Sequence, residues 1–273
     1  MKLMARTLRI KPDKDTRYHL MSRINNKMFL FKQASIKRDI VKTLKKVAYF
    51  SGIEINAYCI MDDHFHIVCT VRRMDKKLSE EEILKRIAVL KGGKYAKSTA
   101  EDWAYNRSLG LEREVENNIS AWRDRMNDIS QMMKTFKENI DRIYKKEHKY
   151  VGTIFTGRFK STIIEDGKYF AACVKYVELN PVRAKMVRMA KDYEFSSYNE
   201  RNANKDGLYA GPGSEERELV KRVPQIGNGV VFGSYEFVRG KIKEGIGKNP
   251  RHVLYDMFAT HGHKLSLEAK VVA

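Results

Sequence analysis

A chain of 273 residues with 42% hydrophobic and 10% aromatic content can bury a proper core, which excludes global disorder. Its 53 Lys and Arg against 34 Asp and Glu leave a formal +19, which either favours a polyanionic partner, nucleic acid foremost, or serves solubility alone. Cys59, Cys69 and Cys173 lie too far apart for a CxxC-type zinc site, and no leader-like or membrane-length apolar run occurs, so a soluble, cytoplasmic protein with no membrane partner is expected.

The basic surplus is concentrated at the start, with 14 basic and 3 acidic residues in 1–50. Residues 17–23 form a partly alternating, strand-like run, and Asn25-Asn26 offers a turn. Ile36, Ile40, Leu44, Val47 and Ala48 recur at helical spacing, predicting an amphipathic helix over 32–51 that stops before Gly52. Two antiparallel strands follow, Ile53–Met61 and His64–Val71, joined through Asp62-Asp63. Helical patterns fill 76–130, with Ser79 and Glu82 as a capping box, Gly92-Gly93 as a break, and Trp103, Tyr105, Leu109 and Leu111 as anchors. A basic helix is expected over 127–148, then a Gly-flanked loop into a short strand, a helix over 167–180, and another from Pro181 to about Ala190. Composition shifts after Tyr198 towards Asn, Gly, Lys and Pro, predicting a linker at 199–213 and a helical appendage over 214–273. The element order predicts an α+β fold with helices packed on a central antiparallel sheet.

Two places carry chemistry. On a strand, His64 and His66 point the same way while Phe65, Ile67 and Cys69 point oppositely, so one face would pack and the other coordinate a divalent ion. Structural or surface histidines are the competing reading. On the 167–180 helix, Tyr176 and Asn180 are one turn apart, placing a phenol beside an amide oxygen. A phenol with a pKa of about 10 needs a metal or a cation to attack a phosphodiester at neutral pH. Tyr176 could equally be an ordinary half-buried tyrosine, and Asn180 a cap for the next helix. Arg17, Arg23, Arg158, Lys160, Lys175 and Arg183 are candidate DNA contacts or solvated charges, and Phe155 and Phe159 either stack on bases or belong to the core.

The phrases HLMSRINNKMFLF at 19–31, MDDHFHIVC at 61–69, GTIFTGRFKSTIIEDGKYFAACVKYVELNPVRAKMV at 152–187 and EFSSY at 194–198 resemble the REP-associated tyrosine transposases, relatives of the IS200/IS605 single-tyrosine transposases. The resemblance covers 17–73 and 127–198 and is weaker at 227–242. It implies a ferredoxin-like or RRM-like HUH nuclease domain over 1–198 with a helical insertion at about 74–126. His64, Phe65 and His66 match the histidine-hydrophobic-histidine pair, Tyr176 the nucleophile and Asn180 the further metal ligand, with Mg²⁺ or Mn²⁺ as cofactor. The implied partner is single-stranded DNA carrying hairpin or palindromic elements, cut and rejoined through a 5′-phosphotyrosine by a monomer or homodimer at the nucleoid. A related replication- or transfer-type nickase, and a binding protein that has lost cleavage, are the alternatives. Ile24 departs from the family's glycine, which predicts a local backbone change there.

Overall fold

The computed structural model describes residues 14–25, 28–73, 77–155, 157–203, 231–234, 236–237 and 240–241. The fold is α+β, with a five-stranded sheet ordered β2-β3-β1-β4-β5 and packed helices. Two compact units divide the chain, one taken from Arg17–Lys42, Ile55–Thr70 and Asp141–Ala273, the other from Met1–Thr16, Thr43–Glu54 and Val71–Ile140.

The first unit holds nearly all of the sheet. β1 (Thr16–Arg23) runs antiparallel to β4 (Lys160–Ile164), with Arg17 opposite Ile164 and Met21 opposite Lys160. β2 (Glu54–Ile60) and β3 (His64–Val71) are joined by three residues, a connection too short for anything but an antiparallel pair, and Met61 N–H donates to His64 C=O at 2.8 Å to close the turn. The tail contributes a strand where helices are expected: β5 (Val231–Phe232) lies parallel to β4, pairing Ile163 with Val231 and Ile164 with Phe232. The sheet is therefore mixed at this edge. Ile24 is fully buried, bridges to Phe155 and donates its N–H to Asp63 C=O at 2.8 Å. Its φ is not positive, so the β-branched residue sits there without the angles a glycine would supply.

Helix α1 (Ala34–Ser51) buries the expected stripe of Ile36, Ile40, Leu44, Val47 and Ala48 and ends at Gly52, whose φ of +65° is the left-handed stop that glycine tolerates. The second unit contains α2 (Glu80–Lys91), α3 (Gly93–Ser108) and α4 (Glu112–Arg123). Half of the capping box forms: Ser79 Oγ accepts from Glu82 N–H at 3.2 Å, while the Glu82 carboxylate turns to Arg86 Nε at 2.9 Å. The core of these helices is Phe50, Ile83, Ile87, Ala96, Trp103, Val115, Ile119 and Met126. Of the four expected anchors only Trp103 is buried; Tyr105 is 65% exposed, and Leu109 and Leu111 are exposed where the chain turns at Gly110. A turn needs no side chain inside, which the spacing of apolar letters did not register.

Helix α5 (Ile129–His148) precedes the loop into β4, where Phe155 and Phe159 are buried. Phe155 meets Phe31 and Phe65 edge-on, so it is core and not a platform for bases. Helix α6 (Lys168–Glu178) stops two residues earlier than periodicity suggests, and α7 (Asn180–Arg183) is a single turn that ends well before Ala190. Lys185, at a φ of +57°, and Met186 N–H donating to Pro181 C=O at 2.9 Å close it off. Residues 199–203, expected as linker, fall in α8 (Tyr198–Ala203); the remainder of the linker and most of the appendage lie outside the described residues. Among the described residues no helix is long and apolar enough to cross a membrane.

Candidate active site

The α6 sequence places Tyr169, Cys173, Tyr176 and Val177 on one face, and all are buried against β2, β3 and β4. That face joins Ala57, Cys59 and Met61 of β2 and its turn, Val68 of β3, and Ile164 of β4 in a single core, with Tyr193 and Phe232. Strand alternation puts His64, His66 and Val68 on one side of β3, so the helix that packs on Val68 also brings Tyr176 over the histidines. The Tyr176 ring stands nearly perpendicular to His66, with centroids 5.7 Å apart.

A third histidine, which sequence reasoning passed over, completes this floor. His19 of β1 is buried, lies edge to edge with His66 with centroids 5.0 Å apart and planes 11° from parallel, and meets Tyr176 edge-on at 5.9 Å. His19 Nε2 lies 2.8 Å from His66 Nδ1. Burial lowers the His19 pKa to about 4 and holds His66 well below its ordinary value, with His19 and His64 adding to the latter. Both rings are therefore neutral at pH 7. Seven of the eight residues of β3 are buried, because α6 covers the histidine side as well.

His64 is less deeply placed, and its Nδ1 lies 2.5 Å from Asp63 Oδ1. The hydrogen bond from His64 holds the Asp63 carboxyl below its usual range, with Arg23 3.8 Å away adding a smaller contribution. A second clasp fixes the same turn. Lys37, buried although flanked by the polar face of α1, donates to Asp62 Oδ1 at 2.5 Å and to Tyr193 Oη at 3.0 Å, and its ammonium lies over the Tyr193 and Phe195 rings. Asp62 and Asp63, read from sequence as turn residues, thus anchor the start of the histidine strand.

Around Tyr176 two effects oppose each other. Burial pushes its phenol up, whereas Arg183, with Cζ 5.0 Å from the ring centroid, and Arg23 pull it down; burial wins. Asn180 turns its amide nitrogen back to Tyr176 C=O at 2.8 Å, so its nitrogen satisfies the end of α6 and it makes no side-chain cap for α7. The other basic candidates are dispersed. Arg17 is held by Asp166 at 2.9 Å and lies over Phe170, Arg158 and Lys160 are exposed, and Lys175 is half-buried on α6.

His64 and His66 carry nitrogen donors of the type that divalent transition metals take. Both Nδ1 atoms are engaged, among the described residues neither Nε2 has a hydrogen-bond partner, and the His66 ring lies against the Tyr176 phenol. Two imidazoles with an amide oxygen would accept manganese more readily than magnesium. Among the described residues no cluster of three or more His, Cys, Asp or Glu side chains is placed to hold a metal.

Residues 13–101, which carry all three histidines and end before Tyr176, match the family model described as IS200-like transposase. The match spans about a third of the chain and is a similarity to that family over this stretch. A solved structure described as the REP-associated tyrosine transposase bound to a REP hairpin is 19% identical, covers 77% of this chain and 93% of that chain, and superimposes with a TM-score of 0.48. No curated protein matches the chain.

Proposed function

We propose that the chain is a metal-dependent single-tyrosine DNA transposase or endonuclease that cuts and rejoins hairpin-containing single-stranded DNA through a 5′-phosphotyrosine. One observation carries the reading: Tyr176 packs directly on His66, whose Nε2, like that of His64, is left without a partner among the described residues. The hairpin substrate and the polarity of cutting follow from the family resemblance.

In the cleavage step Tyr176 Oη attacks phosphorus and the bond from phosphorus to O3′ breaks. The phenolic proton passes to solvent, and the departing oxygen takes a proton to become a 3′ hydroxyl. Rejoining is the reverse attack by a 3′ hydroxyl, and no high-energy cofactor is needed because the phosphotyrosine conserves the phosphodiester. Arg183, stacked on the Tyr176 ring, offsets part of the desolvation that disfavours the phenolate. His64, His66 and Asn180 would hold Mg²⁺ or Mn²⁺, which when bound neutralises charge on the non-bridging phosphate oxygens. Arg23, Arg158, Lys160 and Lys175 would draw in the DNA backbone.

The test incubates the protein with end-labelled single-stranded hairpin DNA and Mn²⁺ or Mg²⁺, then maps the peptide that carries DNA. The expected adduct is on the α6 peptide containing Tyr176, with a free 3′ hydroxyl on the released strand. DNA binding without an adduct under both ions would leave a binding protein in place of the nuclease. Replacing either His64 or His66 with Ala should lower cleavage by on the order of 10²–10³-fold, the usual cost of one electrostatic contributor.

A further inference from the structure

His64 and His66 are held differently at Nδ1, and the difference matters for which nitrogen is left to bind. The partner of His64 is a carboxylate, an acceptor at that contact, so the shared proton belongs to His64 Nδ1. The partner of His66 is another neutral imidazole, which can either donate or accept. Two arrangements satisfy the 2.8 Å contact. In one, His19 Nε2–H donates to His66 Nδ1, and the single proton of His66 sits on Nε2, where it blocks coordination. In the other, His66 Nδ1–H donates to His19 Nε2, and His66 Nε2 is open.

We propose that His19 is a positioning residue for the metal: it accepts the Nδ1 proton of His66 through Nε2, and so fixes the tautomer and the ring orientation that present His66 Nε2 to a divalent cation. This rests on the reading of His66 as a ligand. The geometry suits the task, since both rings are buried and lie within 11° of one plane, the alignment that an in-plane N–H···N bond requires. The partner of a ligating imidazole's second nitrogen is usually a carboxylate or a carbonyl, and its loss typically lowers affinity about 10–100-fold.

Mn²⁺ affinity of the DNA-free protein, measured by titration calorimetry or by the free-ion electron paramagnetic resonance signal, tests this together with ¹⁵N correlation spectra of the histidine rings in Mg²⁺. The wild type loaded with Mg²⁺ should show the His66 proton on Nδ1; a proton on Nε2 would overturn the proposal without any variant. His19→Phe keeps a flat ring but no acceptor, and should weaken Mn²⁺ binding about 10–100-fold. His19→Gln, whose terminal amide reaches about as far as Nε2, should restore most of it, a recovery that a merely space-filling role would not give. Mn²⁺ binding at wild-type strength in a folded His19→Phe protein sinks the role of His19. His66→Ala separates the two ideas: loss of Mn²⁺ there with none in His19→Phe leaves the ligand reading intact, while retention in His66→Ala removes the ligand reading itself.

Discussion

The helical core around Trp103 and the sheet core beneath Tyr176 are assembled from similar apolar side chains but differ in what else they enclose. The helical core is sealed by Phe50, Ile83, Ile87, Val115 and Ile119, and its one polar member, the Trp103 indole, donates to Asn118 Oδ1 at 2.9 Å. The buried charged and imidazole side chains among the described residues, His19, Lys37, His66, Glu178 and Lys241, all belong to the sheet unit, as do the three cysteines. Burying such groups costs stability unless they are paired, and a fold accepts that cost where it needs fixed polar atoms in a dry place. Charge is uneven within the helical unit itself. Residues 77–128 carry ten Lys and Arg against ten Asp and Glu, so the formal +19 of the chain comes from elsewhere. The two cores thus differ in the buried polar groups they hold.

The sharpest way to break this comparison is Tyr176→Phe. It should eliminate the covalent DNA adduct while leaving DNA affinity within about twofold, because the lost hydroxyl has no role in holding the backbone. A phosphotyrosine adduct persisting at normal yield would move the nucleophile elsewhere and with it the significance of the buried histidines. Next in size, Ile119→Ala should cost about 2–5 kcal/mol, read as lost amide hydrogen-exchange protection confined to α2, α3 and α4. Equal loss of protection in β1 and β3 would show that the two cores unfold as one.

A milder test uses salt. Replacing Arg158 and Lys160 with Gln should lower the slope of log affinity against log salt by about 0.7 for each phosphate of single-stranded DNA that is no longer neutralised. The same exchange at Lys94 and Lys97, on the charge-balanced helices, should leave the slope unchanged. Equal effects from the two pairs would mean that the helical unit also meets the backbone.

How much of this was legible in the sequence depends on the range over which each signal acts. Helix α1 and the strand pair around Asp62-Asp63 were readable because hydrophobic period and turn chemistry are local. His64 and His66 stood out because strand alternation fixes their common face within three residues. His19 gave no comparable sign: its partner is 47 residues away, and the meeting depends on β1 lying next to β3, which no local pattern encodes. A histidine inside an otherwise strand-like run was the available hint. Lys37 was hidden by its neighbours, since lysines on a helix normally face water, and its burial follows from Asp62 and Tyr193 converging on it. Asp63 looked like a turn residue and is one; that it also grips His64 adds to the turn role without replacing it.

The gentlest prediction concerns the aromatic side of the sheet core at high pH. Tyr193 donates its hydroxyl to Ile60 C=O at 2.7 Å and, like Tyr58, has its phenol pushed up by burial. An unfolded chain ionises its tyrosines near pH 10, while these two stay protonated in the fold, so the folded state binds more protons above that point. The sign follows: their contribution to stability is complete below about pH 10 and is lost as pH rises beyond it. In Tyr193→Phe the protein should be slightly less stable at pH 7, because Ile60 C=O and Lys37 each lose a partner, yet its stability should fall less steeply from pH 10 upward, by about one proton in the linkage slope. Urea unfolding at intervals between pH 7 and pH 11 measures both effects. An alkaline slope identical to that of the wild type would mean that Tyr193 ionises as readily inside the fold as outside it, and that the sheet core admits water where the helical core excludes it.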